Sequence, residues 1–239
     1  MLKIAEAERA MVNKIVVVTG ANGALGSAVI RALAAAGVTP VGVDQTSPAH
    51  DPSVVESRAW IEGGVDLTDA DAARRTMQAI VARFGRIDGL VNVAGAFRWE
   101  TLESGAADTW DFMFRVNLAT AVNACRAALP HLLAAGGGSI VNVGAGAAIK
   151  AGAGMGPYAA SKSGVHRLTE SLAEELKGKV TVNAVLPSII DTPTNRKDMP
   201  DADFSTWVTT AEIADVILFL VSQKARGVTG ALIPVSGRV

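Results

Sequence analysis

Ile15-Val16-Val17-Val18-Thr19-Gly20-Ala21-Asn22-Gly23-Ala24-Leu25-Gly26 is the stretch on which the fold turns. Five consecutive β-branched residues cannot show a polar face to water, so they read as a strand, Ile15–Thr19, covered on both sides. The glycines that follow read as a tight turn, and residues 26–36 have helical spacing. A strand entering a helix through such a turn brings backbone N–H groups to the helix N-terminus, where the peptide dipoles place about half a positive charge. That end suits a pyrophosphate, although an isolated glycine cluster also reads as an ordinary turn.

Working outward, further strands are predicted over 38–43, 90–93, 139–143 and 180–186, with helices over 69–84, 107–134, 158–176 and 211–223. Asp69 and Asp71 signal a helix start and Gly178 a helix stop. Strands alternating with helices imply βαβ units and a parallel sheet. With no repeat or linker in sight, residues 1–239 read as a single domain in which 1–12 form an N-terminal extension; Met11 also reads as an alternative start.

Asp44 follows the second strand in Val41-Gly42-Val43-Asp44, about 18 residues after Gly26. A carboxylate there accepts from adenine-ribose hydroxyls and repels a 2′-phosphate, and no Arg or Lys stands in the turn or directly after Asp44. The expected cofactor is NAD, with NADH preferred over NADPH. The plainer reading is that Asp44 caps its loop.

Bulk composition narrows the partners to a small-molecule substrate. The 22 basic and 23 acidic residues nearly cancel, leaving no electrostatic footprint for nucleic acid or an anionic membrane. No apolar run reaches the roughly 18 residues of a membrane span, and residues 1–12 lack the apolar core of a signal peptide. One cysteine, Cys125, forms no internal disulfide, and His50, His131 and His166 lack metal-ligand spacing. A cytoplasmic protein without a metal is expected.

The glycine turn, Asp66-Leu67, Asn92-Val93-Ala94-Gly95 and Tyr158-Ala159-Ala160-Ser161-Lys162 stand in that order, and together with the rest of residues 15–239 they resemble the short-chain dehydrogenase/reductase family. The resemblance implies an α/β fold of Rossmann type, a doubly wound parallel sheet with helices on both faces. It implies a homodimer or homotetramer. Matched positions put Gly20, Asn22, Gly23, Leu25 and Gly26 at the pyrophosphate and ribose, Asp66 and Leu67 at adenine, and Asn92, Ala94 and Gly95 behind the dinucleotide. Pro187, Ile190 and Thr192 match the loop that holds the nicotinamide carboxamide, with Ser188 in place of the usual glycine. Ala24 stands where the family usually has the middle glycine of its turn.

Tyr158 and Lys162, four apart on a predicted helix, share one face. An ammonium beside a phenol stabilises phenolate and lowers a pKa otherwise near 10, which suits a tyrosine acid or base. By resemblance these are the catalytic pair, and they also touch the cofactor. Asn117 matches the asparagine that orders a water beside the lysine; it also reads as a polar residue satisfying a helix irregularity. Thirteen residues before Tyr158, where the family places a serine that hydrogen-bonds the substrate carbonyl, stands Ala145. Ser139 lies four residues before Val143, roughly 13 Å away at about 3.3 Å per residue, too far to substitute. Removing one such donor costs about 3–4 kcal/mol, so the absence implies an acceptor that develops little charge on oxygen, or lost catalysis.

Gly144-Ala145, Gly154-Met155, Gly164-Val165-His166, Ser171-Leu172-Ala173 and the run from Asp191 to Trp207 resemble, more narrowly, the quinonoid dihydropteridine reductases. Reduction of a quinonoid pterin builds no alkoxide, which accounts for Ala145; Met155 and Trp207 would line the pocket. Asn195, Arg196 and Lys197 read equally as a solvated loop. Three functions remain open: a reductase of quinonoid dihydropterins, a general carbonyl reductase or alcohol dehydrogenase, and a dinucleotide-binding sensor without turnover.

Overall fold

The computed structural model describes Met11, residues 13–47 and residues 59–239; residues 1–10, 12 and His50 lie outside them. Strand β1 (Ile15–Thr19) leads through the glycine turn into α1 (Ala24–Ala35) and β2 (Thr39–Val43). Next come β3 (Trp60–Glu62), α2 (Ala70–Phe84) and β4 (Gly89–Asn92). Helix α3 (Thr109–Met113) passes through a π-helical turn, Phe114–Ala119, into α4 (Thr120–Ala134). After β5 (Gly138–Val143) and α5 (Gly156–Glu175), β6 (Val180–Pro187) leads to β7 (Ile190–Asp191), α6 (Pro193–Asp198), β8 (Val208–Thr209), α7 (Thr210–Val221) and β9 (Leu232–Val235).

Seven strands form one parallel sheet in the order β3-β2-β1-β4-β5-β6-β9. Alternation along β1 explains its unbroken apolar run: Val16 and Val18 join the core under α1 and α7, whereas Ile15 and Val17 join the opposite core with α2 and α4. Met11 is buried in the first of these cores. The doubly wound architecture is as expected, with helices on both faces.

Two strands of this sheet escape the sequence reading, and both lie at its edges; the two-residue β7 and β8, which pair with each other, escape it too. β3 is three half-buried residues, and β9 carries Pro234, which lacks an N–H and is tolerated only at an edge or bulge. Helix α1 begins two residues earlier than spacing alone predicts. The long helix expected over 107–134 begins at Thr109 and is interrupted by the π turn. Helix α7 is fastened by a capping box in which Thr209 and Glu212 satisfy each other's backbone N–H.

Candidate active site

From β1 the chain winds toward β2 on one side of the sheet, while β4 lies on the other. Ligands of such sheets bind at this reversal, beyond the carboxyl ends of the strands. A cleft of ≈ 870 Å³ opens there, within the range of about 300–1,000 Å³ typical of small-molecule sites. Of the residues expected at the cofactor, Gly20, Asn22, Gly23, Leu25, Gly26, Asp44, Asp66, Leu67, Ala94, Gly95, Tyr158, Lys162, Ile190 and Thr192 line it. Asn92 and Pro187 do not.

Two glycines of the turn are required sterically. Gly20 has φ +66°, and a Cβ there would stand 2.8 Å from Ala94 N; a Cβ on Gly26 would collide with the carbonyl oxygen of Gly20. Ala24 is accommodated because it is already the first residue of α1. Thr19 Oγ1, unnoticed in the sequence, accepts from the backbone N–H groups of Val93 (3.1 Å) and Ala94 (3.2 Å), tying the end of β1 to the loop after β4. Gly23 caps α1 without a side-chain bond, so the first-turn N–H groups remain available to an anion. This cradle fits a pyrophosphate.

Asp44 lines the cleft and also caps its loop, the plainer of its two expected readings. Oδ1 accepts from Thr46 N and Thr46 Oγ1, each at 2.8 Å, which caps the loop; Oδ2 accepts from Asn22 N at 2.9 Å, which closes the glycine turn. A carboxylate has about four acceptor positions, so one remains toward the cleft. Asp66 Oδ1 accepts from Thr68 N at 2.9 Å, and Asn123 Nδ2 donates to the Leu67 carbonyl at 2.9 Å, fixing that wall.

Asn92 turns its side chain away from the cleft. Its Nδ2 donates to Asn142 Oδ1 (2.8 Å) and Cys125 Sγ, and Asn142 Nδ2 donates to Thr169 Oγ1 (2.8 Å), a buried polar ladder joining β4, β5 and α5. Among the described residues, Asn92 Oδ1 is the one buried side-chain oxygen without a partner. The family match placed Asn92 by chain position; the strand's alternation decides that it braces the sheet.

Lys162 is buried, and its Nζ donates to the Val143 carbonyl at 2.8 Å. Two of its three N–H donors remain toward the cleft. Burial pushes the ammonium down to about 8 and pushes the Tyr158 phenol up to about 12. The expected lowering of the tyrosine by its lysine is therefore outweighed by desolvation, and Tyr158 is a protonated phenol at neutral pH.

Asn117 is also a brace. Its Oδ1 accepts from Ala96 N (2.9 Å), and its Nδ2 donates to Ala96 O and Ser161 Oγ (both 3.0 Å). It sits in the π turn, so the reading of a polar residue at a helix irregularity matches its place. Gly95 makes room for it, since a Cβ there would stand 2.5 Å from Asn117 Oδ1.

Ala145 is buried beyond the end of β5. Three serine hydroxyls of its region are committed elsewhere: Ser161 Oγ donates to Tyr158 O (2.7 Å), Ser163 Oγ to Ala148 O (2.9 Å) and Ser188 Oγ to Ser236 O (2.7 Å), whereas Thr192 and Thr194 line the cleft. Ser139 is buried at the far end of β5. None of these serines replaces the missing donor.

A sequence model of the short chain dehydrogenases matches residues 14–203. The chain belongs to this family and is an oxidoreductase. The chain is 34% identical to the 3-oxoacyl-(acyl-carrier-protein) reductase FabG of Thermotoga maritima, over 94% of this chain and 96% of that protein. It is 33% identical to the D-threitol dehydrogenase of Mycolicibacterium smegmatis, over 94% and 92%. Among solved structures, the NAD complex of carveol dehydrogenase from Mycobacterium avium superposes with a TM-score of 0.85 at 27% identity, covering 95% of this chain and 98% of that one. Ligand-free aldohexose dehydrogenase of Thermoplasma acidophilum gives 0.87 at 26%, covering 95% and 94%. The reading as a sensor without turnover gives way to these likenesses.

Phe97 also lines the cleft, its ring perpendicular to that of Tyr158 with centroids 4.9 Å apart. Phe97 was missed because it belongs to no motif, whereas Thr194, within the run from Asp191 to Trp207, lines the cleft as well. Trp207 is buried against Phe204, and Met155 also lies outside the cleft, so neither lines it as expected. The polar run is built into the fold: Asn195 Nδ2 donates to Ile190 O (2.8 Å), and Arg196 pairs with Asp191 through two hydrogen bonds of 2.6 and 2.8 Å. Among the described residues no helix is long and apolar enough to cross a membrane, and no three His, Cys, Asp or Glu side chains gather as metal ligands.

Proposed function

We propose that this oxidoreductase is an NADH-dependent reductase of small planar acceptors of the quinonoid dihydropterin type. The observation that carries this reading is Ala145, beside which the hydroxyls of Ser161, Ser163 and Ser188 are all committed to backbone carbonyls. A carbonyl reduced by hydride needs a donor at its developing oxyanion; a quinonoid ring spreads the incoming electron pair through its conjugated nitrogens. The substrate-side run from Asp191 to Trp207 supports the same acceptor by its resemblance to quinonoid dihydropteridine reductases.

When bound, NADH supplies the hydride. Lys162, held on the Val143 carbonyl, turns its remaining N–H donors to ribose hydroxyls. Asp44, with one acceptor position left, takes the adenine ribose, and its charge disfavours a 2′-phosphate. Thr192 and Ile190, which line the cleft, would hold the carboxamide. Tyr158 keeps its proton at Oη, since burial favours the neutral phenol, and this suits a donor in the reductive direction. Phe97, exposed and perpendicular to the Tyr158 ring, would give a planar acceptor an aromatic side chain to pack against.

The relatives favour a second reading, reduction of a carbonyl or oxidation of an alcohol, because the named activities of FabG and D-threitol dehydrogenase are of that kind. NADH oxidation against quinonoid dihydropterin, an acetoacetyl thioester and simple ketones separates the two. Turnover of the pterin with feeble ketone reduction supports the proposal; rapid ketone reduction with the pterin inert sinks it.

A further inference from the structure

Residues 143–145 carry the chain out of β5 beside the cleft, and two successive turns of α5 grip them. Lys162 Nζ donates to Val143 O at 2.8 Å. One turn further on, His166 accepts the Ala145 N–H at Nε2, 3.4 Å away. The imidazole is 3% exposed. A Cβ on Gly144 would stand 2.5 Å from His166 Nε2 and 2.8 Å from Cδ2, so the ring already fills the space that a side chain at 144 would need. The Gly144 N–H is in turn held by Val185 O at 2.9 Å. His166 does not line the cleft, and nothing in the hydride chemistry uses it.

We infer that His166 is a positioning residue: its neutral imidazole, acting with Lys162, clamps residues 143–145 to α5 and so sets where Lys162 and Ala145 stand relative to Tyr158. An acceptor at Nε2 requires the tautomer protonated at Nδ1. Burial holds the His166 pKa below its ordinary value; Arg167 and Lys162 act in the same direction and Glu170 against them, all on α5. The facing residues 143–145 and Leu186 carry no charge. Protonation at Nε2 would set a donor against the Ala145 N–H, and the clamp opens in acid.

The inference relies on the proposed role of Lys162 only where turnover is read; amide exchange tests the clamp without any acceptor. His166→Met removes the acceptor at similar bulk, and His166→Gln offers an amide oxygen near the Nε2 position without titrating. With the better acceptor of the panel above, His166→Met should lose between tenfold and a hundredfold in kcat, as displacements of about 1 Å do, with a smaller weakening of NADH binding because Lys162 also serves the ribose. His166→Gln should recover most of the loss and remove the acid limb that the clamp predicts for the unaltered enzyme. Peptides covering 143–148 should exchange amide hydrogens faster in His166→Met at neutral pH, and in the unaltered protein as pH falls once intrinsic exchange rates are divided out. Undiminished kcat in His166→Met, an acid limb unchanged in His166→Gln, or unaltered exchange at 143–148 in a folded His166→Met would each overturn the inference.

Discussion

Lys162 Nζ donates to the carbonyl oxygen of Val143 at 2.8 Å, so the buried cation of the site hangs from the last residue of β5. Burial lowers its pKa from 10.5 to about 8. Lys162 thus loses its positive charge as pH rises through about 8, and kcat/KM for NADH-dependent reduction is expected to fall there. Lys162→Arg, whose guanidinium stays charged beyond pH 12, should react more slowly yet show no limb near 8. A limb that persists in that variant assigns the ionisation to another group.

The same shift makes a stability prediction. Between pH 8 and 10.5 the unfolded chain binds the lysine proton and the folded one does not, so folding stability from this group rises across that window and is lost as pH falls through about 8. Tyr158 acts oppositely: with its pKa raised to about 12, its contribution is present below pH 10 and lost as pH rises toward 12. Lys162→Met should flatten the rise between pH 8 and 10, an effect on the order of 3 kcal/mol for a shift of this size. Urea midpoints at three pH values measure it.

Ala145→Ser discriminates between acceptors. A restored hydroxyl should leave quinonoid dihydropterin reduction within about tenfold and raise ketone reduction, since one donor contributes up to about 3–4 kcal/mol to an oxyanion-like transition state. Tyr158→Phe should depress ketone reduction more than pterin reduction. Equal responses of both acceptors in steady-state assays would count against the assigned role of position 145.

NADH should bind at least about tenfold more tightly than NADPH, because Asp44 would face the 2′-phosphate. Asp44→Ala should narrow that ratio while weakening NADH, since the carboxylate also closes the turn through Asn22 N. Fluorescence titration of both nucleotides decides it.

Gly26→Ala places a Cβ on the Gly20 carbonyl, and the turn must move to admit it. A loss of about 1–3 kcal/mol in stability is expected from such overpacking, together with much weaker NADH binding. Wild-type affinity in a folded Gly26→Ala protein would show that the turn does not hold the cofactor.

Trp110 and Phe114 expose large apolar faces on α3 and the π turn, which fits a homodimer or homotetramer formed through these helices. Light scattering at micromolar concentration should report a multiple of 24.6 kDa. A particle of that mass alone defeats this expectation.

The central strands, the glycine turn and the placing of Tyr158 and Lys162 on one helix facing the cleft were legible in the linear sequence because each depends on short-range constraints: β-branched runs, glycine at a close approach, and the period of a helix. The edge strands β3 and β9 were not, since their few half-buried residues carry little hydrophobic pattern, and their pairing is supplied by β2 and β6. Chain position likewise could not say which way Asn92 and Asn117 point. Only the assembled sheet and the π turn decided that both amides brace the scaffold, because a buried amide must find partners wherever packing offers them. The absence of a hydroxyl at Ala145 was legible from spacing, whereas the commitment of every nearby serine to a backbone carbonyl, and the imidazole of His166 beneath Gly144, were decided by tertiary structure. Spacing along a chain orders residues within one helix or strand; which polar atoms are left free for chemistry depends on partners contributed by other elements, and those meet only when the sheet closes the core.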